Sequence, residues 1–137
     1  MKKLTTFAAA ALALAMTGAG ALAETTLQLG TTVNEQDSFH VAAVKFAELV
    51  DERTNGEYKI EIYPNGTLGG ESDMLDSMST GMLDMGIITS GPFVNFSEAM
   101  GVLDMPYLFA NNEEAYKVFD GEIGRELLVS LEDAGLK

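Results

Sequence analysis

Few side chains in this sequence can do chemistry. His40 is the only imidazole, and cysteine is absent. The lack of cysteine excludes disulfides, thiolate metal sites, thiol nucleophiles and a lipid-modified N-terminal cysteine. A histidine acting as general base needs a nucleophile within hydrogen-bond reach, and Ser90 is the partner on offer. His40 reads equally as a ligand hydrogen-bond donor beside a loop, or as an ordinary first-turn helix residue. Glu71, Asp73 and Asp76 lie close together but lack the alternating acid and glycine register of a calcium loop. They fall in the first turns of a helix, where acids favour the dipole, and read as a solvated face. Glu71 alone, beside Gly69 and Gly70, is placed to face a ligand. Met74, Met78 and Met82 repeat at a spacing that suits a soft metal, yet a methionine core stripe is the commoner use. Gly66, Gly69 and Gly70 are followed by no Gly-Lys-Ser/Thr run, so the nucleotide signature is missing. No metal site and no cofactor is expected.

Charge narrows the partners. The 137 residues hold 8 Lys plus Arg against 21 Asp plus Glu, a formal net charge of −13. Nucleic-acid binding requires basic groups to neutralise phosphates, and anionic membrane surfaces repel such a chain. Lys2 and Lys3, an Ala/Leu-rich run from Leu4 to Met16, and Ala21-Leu22-Ala23 reproduce the three parts of a secretory signal peptide. The apolar run is shorter than the ~20 residues of a spanning helix. Residues 1–23 are therefore expected to be a signal peptide cleaved after Ala23. Residues 24–137 are expected to be exported to the periplasm, with no direct membrane insertion.

Positioning those groups falls to alternating elements. Thr25 to Gly30 predicts a strand. Phe39, Ala42, Ala43, Phe46, Leu49 and Val50 recur at helical spacing, with Ser38 as N-cap and Asn55-Gly56 as the stop. Glu57 to Tyr63 alternates as a strand with one wet face, and Pro64-Asn65-Gly66 turns the chain. A second helix carries Met74, Leu75, Met78 and Met82 on one stripe and ends at Gly81. Met85 to Ile88 predicts a strand buried on both faces, broken by Ser90-Gly91-Pro92. Phe93 to Phe109 is apolar but irregular. Asn111 and Glu114 form a capping box before Ala115, Tyr116 and Phe119, and Ile123, Leu127, Leu128 and Leu131 mark a last helix ending at Gly135. Strand-helix-strand-helix-strand is the pattern of an α/β protein with a parallel sheet. Ligands in such sheets bind beyond the carboxyl ends of the strands. That rule selects Thr31 to His40, Asn65 to Glu71 and Thr89 to Phe93, whose hydroxyls, glycines and aromatics suit a small polar ligand better than catalysis.

Three ordered motifs add a resemblance. Tyr63-Pro64-Asn65-Gly66-Thr67-Leu68-Gly69-Gly70-Glu71, Gly81-Met82-Leu83-Asp84-Met85-Gly86 and Met105-Pro106-Tyr107-Leu108-Phe109 together resemble the solute-binding proteins of TRAP (tripartite ATP-independent periplasmic) transporters, the DctP-like family. The likeness runs from about Leu27 to Gly135. It implies the N-terminal lobe, a βαβαβ core followed by helices and incomplete as it stands, of a type II periplasmic-binding-protein fold. It also implies that the protein closes on an organic acid, C4-dicarboxylate-like, and delivers it to TRAP membrane permease subunits. The family's first-lobe ligand contacts fall here at Thr32, at His40 with Phe39 beside it, and at Thr89 with Ser90, with Glu71 and Phe93 as further contacts. Thr32 and Thr89 stand where some relatives carry an amide and an acid, which leaves the identity of the acid open. Relatives clamp the ligand carboxylate with an arginine contributed after the first lobe, a residue type suited to bidentate binding. Arg53 and Arg125, at a helix end and on a helix flank, do not fit that role. The resemblance therefore implies the front part of a longer protein. An exported enzyme using His40 and Ser90, or a non-functional truncated remnant, are the alternative readings.

Overall fold

The computed structural model describes residues 24–137. The expected signal peptide lies outside the described residues. Three parallel strands, β1 (Thr25–Thr31), β2 (Tyr58–Tyr63) and β3 (Met85–Ile87), form one sheet in the order β2-β1-β3. Crossover helices α1 (Ser38–Arg53) and α2 (Glu71–Ser79) join them, as parallel neighbours require. Leu29 pairs with Ile62 on one side and Met85 on the other, so β1 is the centre of the sheet.

Successive side chains on a strand point to opposite faces, and that rule places the helices. Leu29 lines a hollow with Ala42, Ala43 and Phe46 of α1. Its neighbour Gly30 faces α2, and a Cβ built there would lie 2.6 Å from the Met74 sulfur. The two helices thus cover opposite faces, giving a three-layer α/β arrangement. Gly30 is glycine because the fully buried Met74 already fills the space above it.

Several local readings shift by a residue or a face. The N-cap of α1 is Asp37 rather than Ser38: its carboxylate accepts the Phe39 N–H at 2.8 Å, a bond usually worth about 1 kcal/mol. Asn55 and Gly56 do end the helix in left-handed conformations, with φ of 52° and 79°. Met85–Ile87 is half-buried rather than enclosed on both faces, as the edge strand among the described residues. Where β3 falls short of β1, Asp84 reaches across and its carboxylate accepts the Gln28 N–H at 2.8 Å.

Beyond β3 the chain makes two 3-10 turns, Gly91–Asn95 and Glu98–Asp104, then α3 (Asn112–Phe119) and α4 (Glu122–Val129). The irregular reading of Phe93 to Phe109 corresponds to those turns. Asn111 caps α3 by accepting the Glu114 N–H at 2.9 Å, while the Glu114 carboxylate turns to the Ala110 N–H instead of closing the box. Leu75 of α2 meets Met100, Leu127, Leu131 and Leu136 in a second apolar cluster. Met82 departs from the predicted stripe: α2 ends at Ser79, and Met82 is 73% exposed. Among the described residues no helix is long and apolar enough to cross a membrane.

Candidate functional site

The carboxyl ends of β1 and β3 lie side by side, since Thr31 pairs with Ile87 in the parallel register. Thr31 is fully buried. Its carbonyl accepts the Gly66 N–H at 3.0 Å, and the Val33 carbonyl accepts the Asn65 N–H at 2.9 Å. The Pro64-Asn65-Gly66 turn is thereby zipped onto the loop that follows β1. Asn65 and Gly66 both adopt left-handed φ, 59° and 65°, to aim those two amides. Thr32 stands exposed between the two anchored residues.

From Val33 the chain runs through Asp37 into α1, whose first turn carries Phe39 and His40. Phe39 is a large apolar ring that is 58% exposed. His40 is half-buried, and its buried Nδ1 has no hydrogen-bond partner among the described residues. Buried polar atoms in folded proteins are nearly always paired, which makes this nitrogen the exception among the described residues.

The end of β3 is held differently. Glu71, the first residue of α2, accepts the Thr89 N–H at 3.2 Å through Oε1 and the Thr89 hydroxyl at 2.5 Å through Oε2. Ser90 donates its hydroxyl to Asp104 Oδ1 at 2.7 Å. Both loop hydroxyls are therefore tied to carboxylates. Asp104 was missed at the sequence level, although a lone acid inside the apolar run from Ala99 to Phe109 is a signal that could have found it. Phe93 sits lower, half-buried against the cluster of Leu75 and Met100. It lines a hollow of about 490 Å³ together with Met78 and Leu131.

The structure thus gathers Glu71, Thr89 and Ser90 into one hydrogen-bonded corner, with Thr32 on the neighbouring strand end. Phe39 and His40 stand on the helix that the β1 loop feeds, and Phe93 belongs to the packing beneath. Ser90 is committed to Asp104, and no hydrogen bond joins it to His40 among the described residues. No group of three or more His, Asp or Glu side chains suited to a metal occurs among the described residues. Arg53 and Arg125 are both exposed on their helices. The chemistry available at this edge is hydrogen bonding: one imidazole nitrogen, three hydroxyls and a bare aromatic face.

Known proteins share the sequence and the fold of this chain. Residues 29–137 match the model of the bacterial extracellular solute-binding proteins, family 7 (DctP). The chain is 40% identical over 124 residues to the 2,3-diketo-L-gulonate-binding periplasmic protein of Escherichia coli, covering 90% of this chain and 38% of that protein. Among solved structures, a TRAP periplasmic solute-binding protein from a Polaromonas species, bound to D-erythronate, superposes with a TM-score of 0.77. It is 36% identical, with 82% of this chain and 37% of that one covered. A TRAP periplasmic solute-binding protein from Haemophilus influenzae, with bound L-gulonate, gives a TM-score of 0.75 at 31% identity, covering 81% of this chain and 36% of that one. The chain thus spans less than two fifths of the length of these relatives.

Proposed function

The chain belongs to the bacterial extracellular solute-binding proteins of family 7, and from that membership we propose that it is the ligand-capturing part of a TRAP-type transporter. It works in the periplasm, residues 1–23 being the signal peptide and residues 24–137 part of the N-terminal lobe. The ligand is a small carboxylate-bearing organic acid, taken up by closure of a cleft and passed to membrane permease subunits. A C4-dicarboxylate-like acid is one form of that class. The relatives named for 2,3-diketo-L-gulonate, D-erythronate and L-gulonate support a sugar acid as the other.

The observation that carries the reading is the buried Nδ1 of His40, beside the strand-end loops and unpaired among the described residues. An imidazole held in place without a protein partner suits ligand binding. Catalysis by His40 and Ser90 would need the two to bond each other, and the Ser90 hydroxyl already goes to Asp104. We therefore read the protein as a binder rather than an enzyme.

Calorimetric titration of the protein expressed from its complete reading frame tests this. Binding of one or more organic acids, with neutral sugars and metal ions inert, is the expected result. Binding of a neutral sugar or a metal with no acid bound would overturn it. His40→Ala should cost ~1–3 kcal/mol of affinity, the scale of one lost hydrogen bond, whereas loss of a turnover by orders of magnitude would favour the enzyme.

A further inference from the structure

The corner formed by Glu71, Thr89, Ser90 and Asp104 has a polarity that the proposed function does not use. A hydroxyl carries one hydrogen and two acceptor lone pairs, and a carboxylate can only accept. The Thr89 hydroxyl hydrogen goes to Glu71 Oε2 at 2.5 Å, and the Ser90 hydroxyl hydrogen goes to Asp104 Oδ1 at 2.7 Å. The Thr89 N–H goes to the same Glu71 carboxylate. What these two hydroxyls retain for a ligand is acceptor capacity alone.

We propose that Glu71 and Asp104 are specificity-determining positioning residues: by taking the hydroxyl protons of Thr89 and Ser90 they create an acceptor-only strip that reads a ligand hydroxyl and turns away a ligand carboxylate. This rests on the organic-acid reading of the site and narrows it to hydroxylated acids. Two effects act in the same direction. Turning either hydroxyl to donate to a ligand carboxylate would first break a charge-assisted bond, which is stronger than a neutral one. A ligand carboxylate at the strip would also face Glu71 and Asp104 directly, like charge against like. A ligand hydroxyl meets neither obstacle, since it donates into the free lone pairs of Thr89 and Ser90. The ligand's own carboxylate is then directed away from this corner. Neither acid has to touch the ligand, because each acts through the hydroxyl it orients.

Matched pairs of probes read this directly: tartrate against succinate, and gluconate against hexanoate, titrated into the protein from its complete reading frame. The native protein should bind the hydroxylated member more tightly in every pair of which it binds a member. Glu71→Ala and Asp104→Ala each remove the acceptor that holds a hydroxyl hydrogen and should narrow that preference by roughly tenfold. A merely structural role would weaken both members of a pair alike, so an unchanged ratio in both acid variants overturns the proposal, as does a native preference for succinate or hexanoate. Should Glu71→Ala fail to fold, Asp104→Ala carries the same test at the other hydroxyl. If none of the four acids binds the native protein, the organic-acid reading itself is overturned and this inference with it.

Discussion

The loops after β1 and after β3 lie next to each other, yet they are built on opposite principles. After β1, main chain holds main chain: Thr31 and Val33 accept the amides of Gly66 and Asn65, and a buried methionine backs the strand. After β3, a strand of three residues, no further strand continues the ladder on its outer side among the described residues. Two carboxylates from other elements take over, Glu71 from α2 and Asp104 from the end of the second 3-10 turn. A backbone-held loop presents whatever side chain the sequence supplies, and Thr32 can be changed without disturbing its anchors. A carboxylate-held loop has its hydroxyls oriented by the groups that hold it. Geometry and ligand preference are therefore separable on the β1 side and fused on the β3 side.

The largest effect expected from this contrast is on the core beneath β1. Met74 is fully buried under Gly30, so Met74→Ala should cost about 2–5 kcal/mol by leaving a cavity. Gly30→Ala alone should cost about 1–3 kcal/mol, because its Cβ would sit 2.6 Å from the Met74 sulfur. Combined, the two should cost less than their sum, since the cavity accepts the methyl group, with a coupling of about 0.5–3 kcal/mol. Denaturant unfolding of the four proteins measures it. Strict additivity would mean that the methionine does not back the strand end.

A smaller and more local effect should follow on the other side. Glu71→Ala removes both bonds to Thr89, and charge-assisted bonds of this kind are worth about 1.5–3 kcal/mol. The Thr89 amide should then exchange with solvent roughly tenfold faster or more. The amides of Asn65 and Gly66 should keep their native protection, because their acceptors are main-chain carbonyls. Hydrogen exchange resolved at these three residues decides the matter. Equal acceleration at all three would show the loops to be one cooperative unit and dissolve the contrast.

Periodicity was enough to read the βαβαβ order and the turns, because Asn55-Gly56 and Asn65-Gly66 require left-handed backbone and alternation marks β2. Faces at the ends of elements were harder. Met82 continues the four-residue stripe of Met74 and Met78 in sequence, but α2 stops at Ser79 and the stripe ends with it. Ile123 and Leu128 fit a helical face yet are 56% and 60% exposed, while Leu127 and Leu131 carry the packing. Which stripe is buried depends on where α2 presents Leu75, a tertiary fact with no local trace. The same holds for the site. Glu71 could be singled out from its place at a helix start beside two glycines, but its partner Thr89 is eighteen residues away. Asp104 pairs with Ser90 only because the two 3-10 turns pack against each other.

The amino ends of the strands, opposite the site, offer the mildest test. Lys59 of β2 bridges Glu24 at 2.5 Å, with both side chains about half exposed. The hydrogen bond that Lys59 donates to the Glu24 carboxylate raises the Lys59 pKa above its ordinary 10.5, helped by the charges of Glu24 and Asp51 and opposed by desolvation. A raised folded pKa stabilises the fold fully below 10.5 and ceases to do so as pH climbs through the raised value. Glu24→Gln should therefore lower the melting temperature slightly at neutral pH, and the gap from the native protein should close above that range. Ligand affinity should not move, because Lys59 pairs with Thr26 at the far end of β1 from Thr32. A change in affinity with Glu24→Gln would mean that charge anywhere on the sheet tunes the site. The orientation of the Thr89 and Ser90 hydroxyls by their own two carboxylates would then no longer be the local cause.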